Sequence, residues 1–109
     1  MEQRAPPVTL VTGGTYGIGR AITLTLAAQG HTVCACGVEE RQVGSAAEGG
    51  IASTRAELAN RGHSADLAEV DVADGVQVQR WVADVLARHG RIDALVNNAA
   101  IHPRGDVTH

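Results

Sequence analysis

The stretch Val8–Arg20, reading VTLVTGGTYGIGR, constrains this chain more than any other. Val8-Thr9-Leu10-Val11 is a short β-branched run of the kind that forms a buried strand, and a glycine-rich turn follows it at once. From Ile18 onward, apolar residues fall at helical spacing: Ile18, Ile22 and Leu26, with Ala21, Leu24 and Ala28 beside them. A strand, a tight glycine turn and a helix in immediate succession bring backbone amides up against the phosphates of a dinucleotide. Glycine is required because the backbone must approach the pyrophosphate without an intervening Cβ. The helix then presents unpaired N–H groups and the positive end of its dipole.

The remainder of the chain alternates in the same way. Gly30 supplies a left-handed cap to the first helix, and His31–Gly37 reads as a second strand, continuous in apolar character as a parallel strand covered on both faces should be. Val38–Ala52, rich in Gly, Ala and Glu, reads as an irregular connection. Thr54-x-x-Glu57 is a capping-box pattern that predicts a second helix from there to Asn60-Arg61-Gly62. A third strand is expected over Ala65–Val70. Asp74 then caps a third helix whose apolar stripe is Val78, Trp81, Val82, Val85 and Leu86, with Gly90 at its end. Ala94–Asn97 is the fourth strand, and Ile101–His109 shows no periodicity. Strict alternation predicts an α/β, Rossmann-type doubly wound parallel sheet in the order 3-2-1-4, with its ligand crevice between strands one and four.

Composition excludes several classes. The 109 residues allow one domain at most, and a 44% hydrophobic fraction argues against disorder. With no Phe, one Trp and one Tyr, the core must be built from Val, Leu, Ile and Ala. A net charge of −3 without a basic run speaks against a nucleic-acid partner. No apolar run approaches membrane-spanning length, and the first strand starts too soon after Met1 for a signal peptide, so a cytoplasmic protein is expected. Cys34 and Cys36, two apart on a strand, point to one face and read as small buried apolar residues. The five histidines form no ligand spacing, so no metal site is expected; His31, His63 and His89 each stand beside a glycine at a helix end, where a cation suits the dipole.

Thr12-Gly13-x-x-x-Gly17-Ile18-Gly19, followed about eighty residues later by Asn97-Asn98-Ala99-Ala100, resembles the short-chain dehydrogenase/reductase family. The first motif matches in full, whereas Ala100 stands where the family most often has Gly. The resemblance covers essentially all of this chain but only the N-terminal half or less of a family member, so the domain is expected to be partial, ending after its fourth strand. It implies a nicotinamide dinucleotide held by Gly13, Thr15, Tyr16, Gly17, Ile18 and Gly19, with Tyr16 equally readable as a solvated loop residue. It further implies that Asp71 and Val72 meet the adenine, the alternative being that Asp71 only caps the turn into the third helix. The backbone of Asn98, Ala99 and Ala100 passes the ribose, and Asn97 ties the fourth strand to its neighbours.

The family's ribose-binding Asp falls eighteen positions after the last loop glycine, which here is Gly37. Without a carboxylate there, nothing repels a 2′-phosphate, and Arg20 and Arg41 offer guanidinium partners for one. Glu39 is the competing ribose acceptor. The balance favours NADP over NAD. Catalysis in the family uses a Tyr-x-x-x-Lys pair and a serine. This chain has no lysine and Tyr16 alone, so hydride transfer between the nicotinamide and an alcohol or carbonyl is not expected from it unaided. Three readings stay open: the cofactor-binding portion of such an oxidoreductase, a binding module completed by a partner chain or a second copy, and a remnant that neither binds nor reacts. The fourth strand should present an apolar edge at Leu95-Val96, and the third helix should be alone on its face of the sheet.

Overall fold

A computed structural model of the chain describes residues 5–38 and 49–98. The elements run β1 (Val8–Thr12), α1 (Gly17–Ala28), β2 (Thr32–Gly37), α2 (Ile51–Asn60), β3 (Asp66–Glu69), α3 (Gly75–His89) and β4 (Ala94–Asn97). The four strands form one parallel sheet in the order β3-β2-β1-β4, as the alternation predicts. Among the described residues, no helix is long and apolar enough to cross a membrane.

Side-chain alternation divides the core into two layers. On one face Val8, Leu10, Cys34, Cys36 and Val70 pack against Trp81 and Val85 of α3. On the other, Val11, Val33 and Ala35 pack against Leu24 and Ala27 of α1 and Leu58 of α2. Cys34 and Cys36 share a face and are free, buried thiols, as their spacing implies. Among the described residues α3 is the one helix on its side. Its stripe is narrower than expected, because Trp81 and Val85 are buried, Val78 and Val82 are partly so, and Leu86 is exposed.

Helix α1 forms where the apolar spacing predicts it, and the structure shows which of its residues face the sheet. Its buried residues are Gly19, Thr23, Leu24 and Ala27, not the Ile18-Ile22-Leu26 row. The helix lies close to the sheet, so small residues occupy the contact. The larger row is displaced to one flank, where Ile22 and Leu26 pack partly beside Val96 and Ile18 is 75% exposed.

Helix α2 also begins earlier than the capping-box pattern predicts, at Ile51 with Gly50 as its N-cap. Thr54 lies inside the helix and is fully buried; its hydroxyl donates to the Thr15 carbonyl at 3.2 Å instead of capping. Asp74 behaves as read: its Oδ1 accepts the Val76 and Gln77 amides at 3.0 and 3.3 Å. Those bonds, first of all that from Gln77, hold the Asp74 carboxyl below its ordinary range. Gly90 closes α3 in the left-handed conformation with φ 81°.

The edge strand β4 is fastened at both ends. Below it, Asp93 Oδ2 accepts from Arg91 Nε and from the Val8 amide, each at 2.8 Å. The Arg91 bond foremost, and then the Val8 amide, keep the Asp93 carboxyl below the usual carboxylate range. Leu95 is exposed along this strand, as expected of an apolar edge, whereas Val96 is turned partly into the α1 side.

Candidate functional site

The parallel registers bring the carboxyl ends of all four strands to one rim. Thr12 is level with Cys36 on one side and Asn97 on the other, and Gly37 is level with Glu69. The crevice lies where β1 meets β4, at the point where the direction of strand order reverses.

The loop between β1 and α1 is shaped by two kinds of glycine. Gly13 (φ 64°) and Gly17 (φ 50°) occupy the left-handed region, which L side chains rarely adopt. Gly14 and Gly19 are required by space. A Cβ on Gly14 would lie 2.7 Å from Thr23 Oγ1 and 2.8 Å from the Ala35 Cβ. A Cβ on Gly19 would run into the Gly13 carbonyl and come within 2.6 Å of Asn98 Nδ2. Gly14 is thus a shaping residue that the motif leaves unspecified. Its N–H donates to the Cys36 carbonyl at 2.9 Å, and its own carbonyl accepts from Thr23 Oγ1 at 2.9 Å, which ties loop, α1 and β2 together.

The opposite wall is the tip of β4. Thr12 Oγ1 donates to Asn97 Oδ1 at 3.0 Å and accepts the Asn98 amide at 3.0 Å. Asn98 Nδ2 donates to the Gly13 carbonyl at 3.2 Å. Asn97 therefore binds strand to strand, and Asn98 is bonded directly to the glycine loop. Ala99 and Ala100 lie outside the described residues, as do Glu39 and Arg41.

Thr15 is fully buried, yet among the described residues its Oγ1 has no hydrogen-bond partner. It packs so closely against Gly37 that a Cβ there would collide with it. The Thr15 carbonyl, by contrast, is well served, accepting the Gly50 amide at 2.8 Å as well as Thr54 Oγ1. Tyr16 is half-buried, forms the N-cap of α1 and makes an isolated antiparallel bridge to Gly49. The chain returning into α2 thus holds the loop from outside, a support that composition alone did not reveal. We expect Thr54→Val, which keeps the volume and removes the donor, to lower stability by about 0.5–1.5 kcal/mol. Chemical denaturation checks this, and an unchanged midpoint would show the bond to be idle.

Among the described residues, no side chain caps the first turn of α1 or of α2 and no acidic residue stands in either, whereas Asp74 caps α3. Gly17 and Ile18 are exposed at the amino end of α1. Among the described residues, no acidic group in its cap or first turn meets the positive end of the α1 dipole, an arrangement that suits an external anion. These features fit the pyrophosphate of a dinucleotide.

Around the rim, Asp71 Oδ1 accepts the Ala73 amide at 2.9 Å, while the Asp71 amide donates to Gln77 Oε1 at 2.9 Å. One carboxylate oxygen thus shapes the turn into α3. Val72 packs partly into the α3-side core. Gly37 accepts the Val70 amide at 3.0 Å and brings no carboxylate of its own to the tip of β2, where it is level with Glu69 of β3. Arg20 Nη2 donates to Ser53 Oγ on α2 at 3.3 Å, and its Nε is buried without a partner among the described residues.

The short chain dehydrogenase family model matches residues 7–109. A Streptomyces violaceoruber protein described as ketoacyl reductase 1 of the granaticin polyketide synthase is 42% identical over 95 residues, 87% of this chain and 32% of that protein. A 3-oxoacyl-[acyl-carrier-protein] reductase from Synechocystis is 38% identical over 94 residues, 86% of this chain and 35% of its own length. Among solved structures, an actinorhodin polyketide ketoreductase variant crystallised with NADPH superposes with a TM-score of 0.76 at 36% identity, covering 93% of this chain and 36% of that one. The chain thus spans about a third of the length of the relatives it matches.

Proposed function

The chain belongs to the short-chain dehydrogenase family, and from that premise we propose that it is the NADP(H)-binding portion of a ketoreductase acting on an acyl-type carbonyl. The observation that carries this reading is the amino end of α1, uncapped by any side chain among the described residues, beside a glycine loop to which Asn98 is bonded from the β4 side. In this reading residues 1–109 form a partial dinucleotide-binding domain. Gly13, Thr15, Tyr16, Gly17, Ile18 and Gly19 surround the pyrophosphate, and Asn98, with Ala99 and Ala100, borders the nicotinamide-side ribose. Asp71 uses its second carboxylate oxygen toward the adenine, and the Val72 amide lies beside it.

The preference for NADP(H) is supported by the β2 tip. Gly37 presents no carboxylate to repel a 2′-phosphate, and Thr15 fills the space that a side chain there would need. Arg20, whose guanidinium reaches Ser53 on α2, adds a cation to this end of α1. When bound, the nicotinamide supplies the hydride that reduces a carbonyl. This chain's own residues hold and orient the dinucleotide, but it has no lysine, and its single tyrosine is the N-cap residue of α1. We therefore expect binding without turnover unless a partner chain of different sequence brings the catalytic groups. The exposed Leu95 edge of β4 supports such a partner.

The test is thermal denaturation with each dinucleotide. NADPH should raise the melting temperature at lower concentration than NADH, by the equivalent of about 2.7 kcal/mol at a hundredfold excess over Kd. A larger rise with NADH would overturn the cofactor preference. No rise with either at millimolar concentration would overturn binding.

A further inference from the structure

At the opposite end of the sheet from the glycine loop, β2, β3 and α3 bring together three groups that lie far apart in the sequence. Cys34 and Asp66 are register partners on neighbouring strands. Cys34 is turned toward the α3 side, and His89 reaches them from the last turn of α3. The Cys34 Sγ, an Asp66 oxygen and a His89 ring nitrogen all lie within 4.8 Å of one another. We propose that Cys34, Asp66 and His89 form a binding site for a divalent cation of the zinc class.

Two of the three ligand separations can be set against what such an ion needs, and the third, from Cys34 Sγ to the His89 ring, lies within 4.8 Å. With metal–N and metal–O bonds of about 2.0–2.2 Å, a tetrahedral centre separates N from O by about 3.4 Å and S from O by about 3.6 Å. His89 Nε2 lies 3.4 Å from Asp66 Oδ2, and Cys34 Sγ lies 4.0 Å from the same oxygen. The sulfur contact is too long for a strong hydrogen bond yet needs only a few tenths of an ångström to become a ligand edge. The two strand residues are held by backbone pairing, so the site does not depend on long flexible side chains meeting by chance. Thiolate, imidazole and carboxylate together are the donor set of zinc rather than of magnesium or calcium.

A cavity of about 390 Å³, lined in part by Ser64, Asp66, Arg88 and His89, opens onto the Asp66 and His89 side of the cluster and gives an ion an entry path, with Cys34 buried behind them. Burial, with the Asp66 charge beside it, pushes the Cys34 thiol up to about 11, so it is protonated in the metal-free chain. On binding, the S–H bond breaks, the sulfur pair goes to the metal and the proton goes to solvent. Arg88 Nη1, at 2.8 Å from Asp66 Oδ2, is the cation that holds this carboxylate in the metal-free state; half exposed, it is free to move aside.

The test uses the whole chain, free of any affinity tag, titrated with Co²⁺ as a spectroscopic probe and then with Zn²⁺. The expected result is one Co²⁺ per chain with a near-ultraviolet thiolate-to-cobalt band that Zn²⁺ bleaches. Cys34→Ser should lose that band and Cys36→Ser should keep it. His89→Gln, at a partly exposed helix end, should weaken Co²⁺ binding by about tenfold or more. Absence of the band in the unsubstituted chain, or its persistence in Cys34→Ser, would overturn the proposal. Should Cys34→Ser fail to fold, unchanged affinity in His89→Gln would overturn it equally.

Discussion

Gly19→Val is expected to abolish the NADPH-dependent rise in melting temperature. Even the first carbon of a side chain at this position meets the Gly13 carbonyl and Asn98 Nδ2. Those two groups are bonded to each other across the crevice at 3.2 Å, so valine must displace the β1 loop, the β4 tip or both. The amides at the start of α1 would then no longer face the phosphates, and a folded but unresponsive protein should result. Gly62→Ala is the control for stability alone. Its φ of 77° makes alanine costly by about 1–2 kcal/mol, but nothing lies within 4 Å of the added carbon, and it sits beyond the far end of α2. That variant should melt lower and still respond to NADPH. An undiminished response in Gly19→Val would mean that the dinucleotide does not use this loop.

Thr12→Val should lower intrinsic stability more than Thr54→Val or Gly62→Ala. The change is nearly isosteric, yet it strands the Asn98 amide and Asn97 Oδ1, which both depend on the Thr12 hydroxyl. Two unsatisfied, partly buried polar groups cost about 2–3 kcal/mol together. For a domain of this size that corresponds to a melting temperature lower by roughly 10 °C or more. The loss should be local in origin. Asp93 still fastens the other end of β4, so hydrogen exchange should accelerate at Val96–Asn98 before it does at Val8–Leu10. A midpoint within experimental error of the parent, or uniform acceleration over the sheet, would contradict this account of how the edge strand is held.

Much of this was legible in the residues because glycine spacing reports directly on backbone requirements. The positive φ of Gly13 and Gly17 and the close approach at Gly19 are what such a motif encodes. The strand order followed from alternation, and strand ends differed by no more than a residue or so. Gly14 was invisible because its need arises from Thr23 and Ala35, which meet it only after α1 and β2 have packed. Thr54 was misread because a capping box is a local pattern, and here a tertiary partner, the Thr15 carbonyl, takes the hydroxyl. The helical spacing of Ile18, Ile22 and Leu26 locates α1 but does not say which residues meet the sheet, where Thr23 and Ala27 are buried. No sequence spacing could disclose Cys34, Asp66 and His89 as neighbours, since strand pairing and the end of α3 bring them together.

The central claim is that the β1–α1 junction, closed by Asn98, receives the phosphates of the dinucleotide. Amide chemical-shift mapping of the isotope-labelled chain during NADPH titration tests it most directly. The account predicts that the largest, saturable shifts fall on Gly13, Thr15, Gly17, Ile18, Gly19 and Asn98. Shifts confined to other surfaces, with these amides unmoved at saturation, would contradict it.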